Sequence, residues 1–228
     1  MKNILIVTHE RSGTHLLINI INFENNGNFR SIGLLPPNEE HNLENYKKYV
    51  YRHMVNTFYP DLISKSHHQV EFYEPFMNYV FDNYKVIYVK RDIKDVLISY
   101  YHFLKRCNDF PEFKDWIFMN PKEIGNKYVD KNPDPHIIIE PKEYIDRWTL
   151  HYNGWMKYKD KLLVVNYEDL LNDFQLQKQR LEDYLGKKVS DDLPDRNDKI
   201  LTNIKPNKGI IGWHKEFMDE ELIKKINK

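Results

Sequence analysis

Short apolar runs alternate along the chain with longer segments whose apolar residues recur at helical spacing. Residues 4–7, 85–89 and 162–166 are rich in β-branched side chains and predict buried strands, and residues 62–65 predict another. Between and after the strands, helical spacing predicts helices within residues 15–21, 39–56, 72–84, 93–104, 141–159, 168–185 and 219–226.

Strands that alternate with helices predict an α/β fold of three layers, with a mostly parallel sheet flanked by helices. Ligands of such sheets bind beyond the carboxyl ends of the strands. A length of 228 residues predicts a single domain over 1–228. Residues 107–139 contain four prolines and little periodicity, which predicts an excursion over the surface that can cover a substrate as a lid.

Composition narrows the classes of partner. The 34 basic and 34 acidic side chains cancel, which argues against a general binder of nucleic acid or of membrane surfaces. The longest apolar runs are far shorter than a membrane span. Cys107 is the only cysteine, so no internal disulfide forms, and we expect a cytoplasmic protein.

A polar loop with one glycine joins the first strand to the first helix. Gly13 allows close backbone approach, the helix N-terminus offers N–H groups, and Arg11 supplies a fork of donors, so this loop is suited to hold an anion. The lysine of the Gly-x-x-x-x-Gly-Lys-Ser/Thr loop is absent. From the residues alone, an ordinary strand-to-helix turn is an equally good interpretation.

Two further constellations follow predicted strands. Arg91 closes one strand, and Ser99 lies eight residues later on the next helix, where both can converge on one phosphate. Lys65 and His67 stand two residues apart at another strand end, which suits an acid–base pair. Taken alone, an arginine after a strand is more often a surface residue or an ion-pair partner, and one or both histidines are more often surface residues or neighbours of a site. His68 is the alternative base because the strand end is uncertain by one or two residues.

Taken together and in order, these segments resemble the sulfotransferases that use 3′-phosphoadenosine 5′-phosphosulfate (PAPS). Residues 8–17 resemble the family's 5′-phosphosulfate loop, and residues 65–67 resemble its Lys-Thr-His strand end. Residues 88–103 are very similar to its 3′-phosphate motif. Residues 166–170 resemble its Tyr-Glu-Asp-Leu segment, and residues 208–213 resemble its C-terminal Arg-Lys-Gly-x-x-Gly-x-Trp loop, with Asn207 in place of the arginine.

The resemblance implies a P-loop-like sulfotransferase fold and transfer of a sulfuryl group from PAPS to a hydroxyl or amine of a small-molecule or glycan acceptor. It implies His67 as general base, with Lys65 and Arg11 stabilising charge on the sulfuryl group. No metal is expected, because Arg91 stands where a magnesium ligand would follow the strand. The implied donor-binding residues are Arg11, Ser12, Gly13, Thr14, His15, Arg91, Ser99, Tyr167, Lys208 and Gly209.

Two other functions remain as alternatives. A non-catalytic nucleotide-binding module of the same fold would bind PAPS without transferring the sulfuryl group. A P-loop small-molecule kinase would need the loop lysine and a magnesium-holding carboxylate, and its activity would be lost on chelation.

Overall fold

The sheet consists of parallel strands. A computed structural model describes residues 2–22, 29–32, 43–55, 62–105, 111–117, 141–194 and 209–226. Its strands are β1 (Asn3–Thr8), β2 (Phe29–Ser31), β3 (Ile63–Ser66), β4 (Tyr84–Lys90) and β5 (Leu163–Asn166). They pair in the order β2-β3-β1-β4-β5, and each pair is parallel. The predicted three-layer α/β fold is therefore confirmed.

Helices follow the strands as the alternation predicts. In chain order they are α1 (Thr14–Ile21), α2 (Leu43–Val55), α3 (Met77–Asn83), α4 (Ile93–Leu104), α5 (Phe113–Trp116), α6 (Pro141–Met156), α7 (Tyr167–Asn172), α8 (Phe174–Leu185) and α9 (Glu220–Ile226). Short 3₁₀ turns cover Val70–Phe72, Glu74–Phe76, Lys159–Lys161 and Trp213–Glu216. In the ranges described, no helix is long and apolar enough to cross a membrane.

The chain divides into two compact units. The first comprises Met1–Arg91 and His151–Gly209 and contains the whole sheet, and the second comprises Asp92–Leu150 and Ile210–Lys228. The single domain expected over residues 1–228 stays a prediction.

Both faces of the sheet are covered within the first unit. Side chains alternate along β1, so Ile4 and Ile6 face one layer, and Leu5 and Val7 face the other. The first layer contains the apolar faces of α1, α7 and α8. The second layer contains residues of α2 and α3, together with the fully buried Trp155 of α6. The two layers bury the sheet and leave the carboxyl ends of the strands as the place for a site.

The second unit has its own aromatic core. It packs α4, α5 and α9 around Trp213, whose ring stacks on His102 at a centroid distance of 4.3 Å. Asp95 on α4 is buried, and its carboxylate accepts from the backbone N–H of Gly212 at 2.7 Å and of His214 at 3.0 Å. The same carboxylate accepts from His214 Nδ1 at 2.6 Å. Asp95 thereby anchors the turn of residues 212–214 to α4.

The structure differs from the predicted elements in three places. The predicted helix over 168–185 is two helices, because the Asp173 side chain caps α8 by accepting from Leu176 N–H at 3.4 Å. The predicted helix over 72–84 forms as a helix only from Met77, after two 3₁₀ turns of which the second contains Pro75. The short edge strand β2 was not predicted.

The predicted lid over 107–139 lies mostly outside the described residues. Its described part, residues 111–117, contains α5, which buries Phe113 and Trp116 against the rings of Tyr100 and Tyr101. This part of the segment is packed into the core of the second unit.

Candidate functional site: a cationic loop at the carboxyl ends of β1 and β3

The loop between β1 and α1 turns sharply into the helix. Arg11 has φ 65° and Gly13 has φ 97°, both in the left-handed region. A non-glycine residue in this region is strained, and such strain is typical of binding loops. Gly13 occupies the N-cap position of α1, and no side chain of the described residues caps the helix there. The first-turn N–H groups are thus available to an anion.

Tyr167 and Arg91 close one side of this loop. A Cβ atom at Gly13 would lie 2.2 Å from Tyr167 Cδ2, so the ring packs where only glycine leaves room. The Arg91 guanidinium carbon lies 4.5 Å from the centroid of that ring, and Nη1 donates to the carbonyl of Arg11 at 3.2 Å. The Tyr167 hydroxyl donates to the carbonyl of Gly209 at 3.3 Å. Within the first unit, these contacts link the end of β4 and the start of α7 to the loop.

Positive charge is concentrated beside the loop. Lys65 Nζ on β3 lies 3.5 Å from His15 Nε2 on α1. Burial, with the charges of Lys65 and Arg11, lowers the pKa of His15 to about 4. Burial and Arg11 also lower the pKa of Lys65, and Glu10 acts in the opposite direction. The positive charges of Lys65 and Arg11 beside the loop favour binding of an anion.

Unsatisfied polar atoms point to the same conclusion. The Oγ of Ser12 and the Nδ1 of His15 are buried, and neither has a hydrogen-bond partner among the residues described. Buried polar groups are usually hydrogen-bonded, because leaving them unpaired costs free energy. An oxyanion in the loop would supply the missing partners.

His67 is oriented by the last residue of β1. Its Nδ1 lies 2.8 Å from the carbonyl oxygen of Thr8, which only accepts, so Nδ1 carries the proton and Nε2 carries the lone pair. The Thr8 hydroxyl lies 3.1 Å from the same nitrogen and 2.6 Å from the hydroxyl of Thr14. Burial, followed by the charge of Lys65, lowers the pKa of His67 to about 3. The imidazole is therefore neutral at pH 7 and can accept a proton at Nε2.

His68, the alternative base, is held in the core of the first unit. It is only 3% exposed, and its Nδ1 lies 3.0 Å from Ser66 Oγ. Its carbonyl accepts from Trp155 Nε1 at 3.2 Å, and its ring packs edge-on against Phe72. Of the two imidazoles, His67 is the one hydrogen-bonded to the β1 end that leads into the loop.

Most of the predicted site residues come together in the first unit. Ser99 lies in α4 of the second unit, where it is buried, and Lys208 lies outside the described residues. The contacts above involve Arg11, Gly13, Thr14, His15, Lys65, His67, Arg91, Tyr167 and Gly209. Ser12 lies in the same loop, between Arg11 and Gly13.

Thr8 is the residue that sequence reasoning missed. It is fully buried and contacts both His67 and Thr14, so it connects the imidazole to the start of α1. A polar residue that ends an otherwise apolar strand was the available signal. Within the described ranges, no group of three or more His, Cys, Asp or Glu side chains is placed to hold a metal ion.

A wholly parallel α/β sheet with a cationic loop between its first strand and first helix is typical of proteins that bind anionic ligands at the carboxyl ends of the strands. The family model of the sulfotransferase domain matches residues 1–208. The chain belongs to this sulfotransferase family.

Curated relatives agree with this assignment, and solved structures share the fold. Cattle (Bos taurus) sulfotransferase 1E1 is 27% identical over 206 residues, which cover 85% of this chain and 62% of that protein. Mouse sulfotransferase SULT7A1 complexed with PAP superposes with a TM-score of 0.61 at 16% identity, over 99% of this chain and 82% of the other. Retinol dehydratase in complex with androsterone and PAP gives 0.62 at 21% identity, over 99% and 78%. The chain spans about one third to two thirds of the length of the curated relatives it matches.

Proposed function

We propose that this protein is a sulfotransferase that moves a sulfuryl group from PAPS to a hydroxyl or amine of a small-molecule or glycan acceptor. The observation that carries the proposal is that one residue, Thr8, contacts both the histidine assigned as base and the start of the helix assigned to the anion. Thr8 contacts the imidazole of His67 and the first residue of α1, so a base and an anion-binding helix start lie side by side. The family assignment and the PAP complexes of proteins with the same fold support this donor.

The residues of the loop fit the 5′-phosphosulfate end of the donor. Arg11 and Lys65 supply positive charge, and the N–H groups at the start of α1 and the Ser12 hydroxyl supply donors. Arg91 and Gly209, both in the first unit, are assigned to the 3′-phosphate, and Tyr167, which contacts both, is assigned to the wall of the nucleotide pocket. The donor supplies an activated sulfuryl group, and the protein supplies position and preorganised charge.

The transfer itself is an in-line displacement. The acceptor oxygen forms a bond to sulfur as the bond from sulfur to the bridging oxygen of the donor breaks, which releases adenosine 3′,5′-bisphosphate. The acceptor proton passes to Nε2 of His67, the nitrogen that carries the lone pair. Lys65 lowers the pKa of His67, so a bound anionic donor that offsets Lys65 makes the imidazole a stronger base.

His67→Gln tests the proposal. We expect kcat to fall by about 10²- to 10⁴-fold, the usual contribution of a positioned base. The Kd of adenosine 3′,5′-bisphosphate should stay within about twofold, because the loop that holds the phosphosulfate is unchanged. Transfer from radiolabelled PAPS to a mixed acceptor library measures kcat, and titration calorimetry measures Kd.

The matched control is His53→Gln, a half-buried histidine on α2, which should leave both quantities unchanged. Full turnover by His67→Gln would contradict the assignment of the base. Binding of PAPS without transfer to any acceptor would favour the binding-module alternative, and loss of transfer with EDTA would favour a metal-dependent kinase.

A further inference from the structure

One face of the sheet changes from apolar to polar toward its β2 edge. On β1 this face carries Leu5 and Val7, which pack in an apolar layer. The strand register pairs Leu5 with Ser64 of β3 and Ser64 with Arg30 of β2, so these polar residues lie on the same face. Buried strands of a parallel sheet usually carry apolar residues on both faces, so the fully buried Ser64 on the inner strand β3 needs an explanation.

One edge of the Arg30 guanidinium has donors without a partner among the described residues. Its Nε and Nη2 atoms are buried, and neither has a hydrogen-bond partner in the part of the chain that the structure describes. These two nitrogens form the edge of a guanidinium that binds both oxygens of a carboxylate at once. The guanidinium stays charged in proteins, so a buried fork without an acceptor favours binding of an oxyanion.

Two buried hydroxyls lie on the same side of the sheet. Ser64 and Tyr73 are fully buried, and Ser64 Oγ and Tyr73 OH have no well-oriented partner among the described residues. Burial raises the pKa of the Tyr73 phenol, and the nearby Ser66 hydroxyl and Arg30 charge oppose the rise. Tyr73 packs in the apolar layer of Leu5 and Val7, which is the face that carries Ser64 and Arg30. The three side chains therefore share one face and can donate hydrogen bonds to one anion.

We propose that Arg30, Ser64 and Tyr73 bind a carboxylate of the acceptor, so that the substrates of this protein are hydroxylated carboxylic acids. This inference rests on the proposed sulfotransferase function. His67 lies three positions after Ser64, which corresponds to about 10 Å along an extended chain. The acceptor carboxylate and the hydroxyl that receives the sulfuryl group should be separated by a similar length.

The test compares 3-(4-hydroxyphenyl)propanoate with its neutral amide, which keeps the same phenol. With PAPS as donor, we expect kcat/KM for the acid to exceed that for the amide by about 10- to 100-fold, as for hydrogen bonds to a charged group. Arg30→Gln should lower kcat/KM for the acid by that factor and leave the amide within about twofold. The control is Arg52→Gln, an exposed arginine on α2, which should change neither value.

Tyr73→Phe keeps the ring and removes only the hydroxyl, so it tests the site even if Arg30→Gln does not fold. It should lower kcat/KM for the acid several-fold and leave the amide unchanged. Equal turnover of acid and amide by the unaltered protein would overturn the carboxylate site and leave the sulfotransferase function standing.

Binding separates the remaining outcomes. The protein is saturated with adenosine 3′,5′-bisphosphate and titrated with the acid, the amide or inorganic phosphate in a calorimeter. Binding of the acid that Tyr73→Phe or Arg30→Gln weakens would support the site even if no acceptor were sulfated. Absence of acid binding, or equally tight Arg30-dependent binding of phosphate, would overturn the assignment to a carboxylate. Failure of the bisphosphate itself to bind would count against the proposed function.

Discussion

A methyl group added at Gly13 would meet the ring of Tyr167. The new Cβ would lie 2.2 Å from Cδ2 and 2.7 Å from Cε2 of that ring, at a residue with φ 97°. Left-handed strain costs about 1–2 kcal/mol, and overpacking a filled site typically costs another 1–3 kcal/mol. We therefore expect Gly13→Ala to lower the free energy of unfolding by about 2–5 kcal/mol, measured by urea denaturation.

Gly186 offers a matched control for the strain alone. It has φ 70°, and no atom lies within 4 Å of a Cβ built there, so Gly186→Ala should cost only about 1–2 kcal/mol. In a Tyr167→Ala background, Gly13→Ala should cost about as much as Gly186→Ala. Equal costs at the two glycines, or additivity of Gly13→Ala and Tyr167→Ala within about 0.5 kcal/mol, would refute the clash.

The same change should weaken donor binding. Tyr167 packs under Arg91, which in turn donates to the Arg11 carbonyl, so a displaced ring disturbs the side of the loop assigned to the nucleotide. We expect the Kd of adenosine 3′,5′-bisphosphate to rise about tenfold or more, which corresponds to ~1.4 kcal/mol. An unchanged Kd beside a lowered stability would show that the ring serves packing only.

Further predictions concern protonation and the second unit. The folded pKa of His15, about 4, lies below its ordinary 6.5, so the unfolded chain binds more protons and stability should fall as pH drops from 6.5 toward 4. The His15→Gln variant should lose up to about 3 kcal/mol less unfolding free energy over this pH range, measured by denaturation at several pH values. An unchanged dependence of the unfolding free energy on pH would contradict the lowered pKa of His15. Because the pKa of His67 is about 3, the pH profile of kcat/KM should show no imidazole ionisation between pH 5 and 8. A fall of kcat/KM on the acid side with an apparent pKa near 6.5 would contradict this prediction. Asp95→Asn should cost about 2–4 kcal/mol of unfolding free energy, because it disrupts a buried carboxylate that accepts three hydrogen bonds, whereas exposed Asp115→Asn should change little.

The periodicity of the sequence predicted the central strands because their apolar runs are buried on both faces. β1 and β4 are the clearest cases, with Ile4–Val7 and Val86–Val89 all at or below 3% exposure. The edge strand β2 escaped prediction, since three residues, Phe29-Arg30-Ser31, are too few to show a period. The break between α7 and α8 was also missed, because an aspartate within a helical pattern becomes a cap only when the chain turns there.

The candidate site was predictable as a set of residues but not as a geometry. The ordered motifs identified the loop, Lys65 and His67. The choice between His67 and His68 depends on the end of β3 at Ser66, whose hydroxyl accepts from the His68 N–H at 3.1 Å. The contact of Thr8 with His67 requires β1 and β3 to be neighbours, and strand order cannot be derived from the pattern of one strand.

The two strands that hold the chemistry lie at the centre of the sheet, whereas Arg30 lies on its short outer strand. Substitutions on an outer strand disturb fewer neighbours than those on inner strands, so selection can alter which molecules are modified without rebuilding the machinery that modifies them. A change at Arg30 can therefore alter which acceptors are preferred while the reaction centre on the inner strands stays intact.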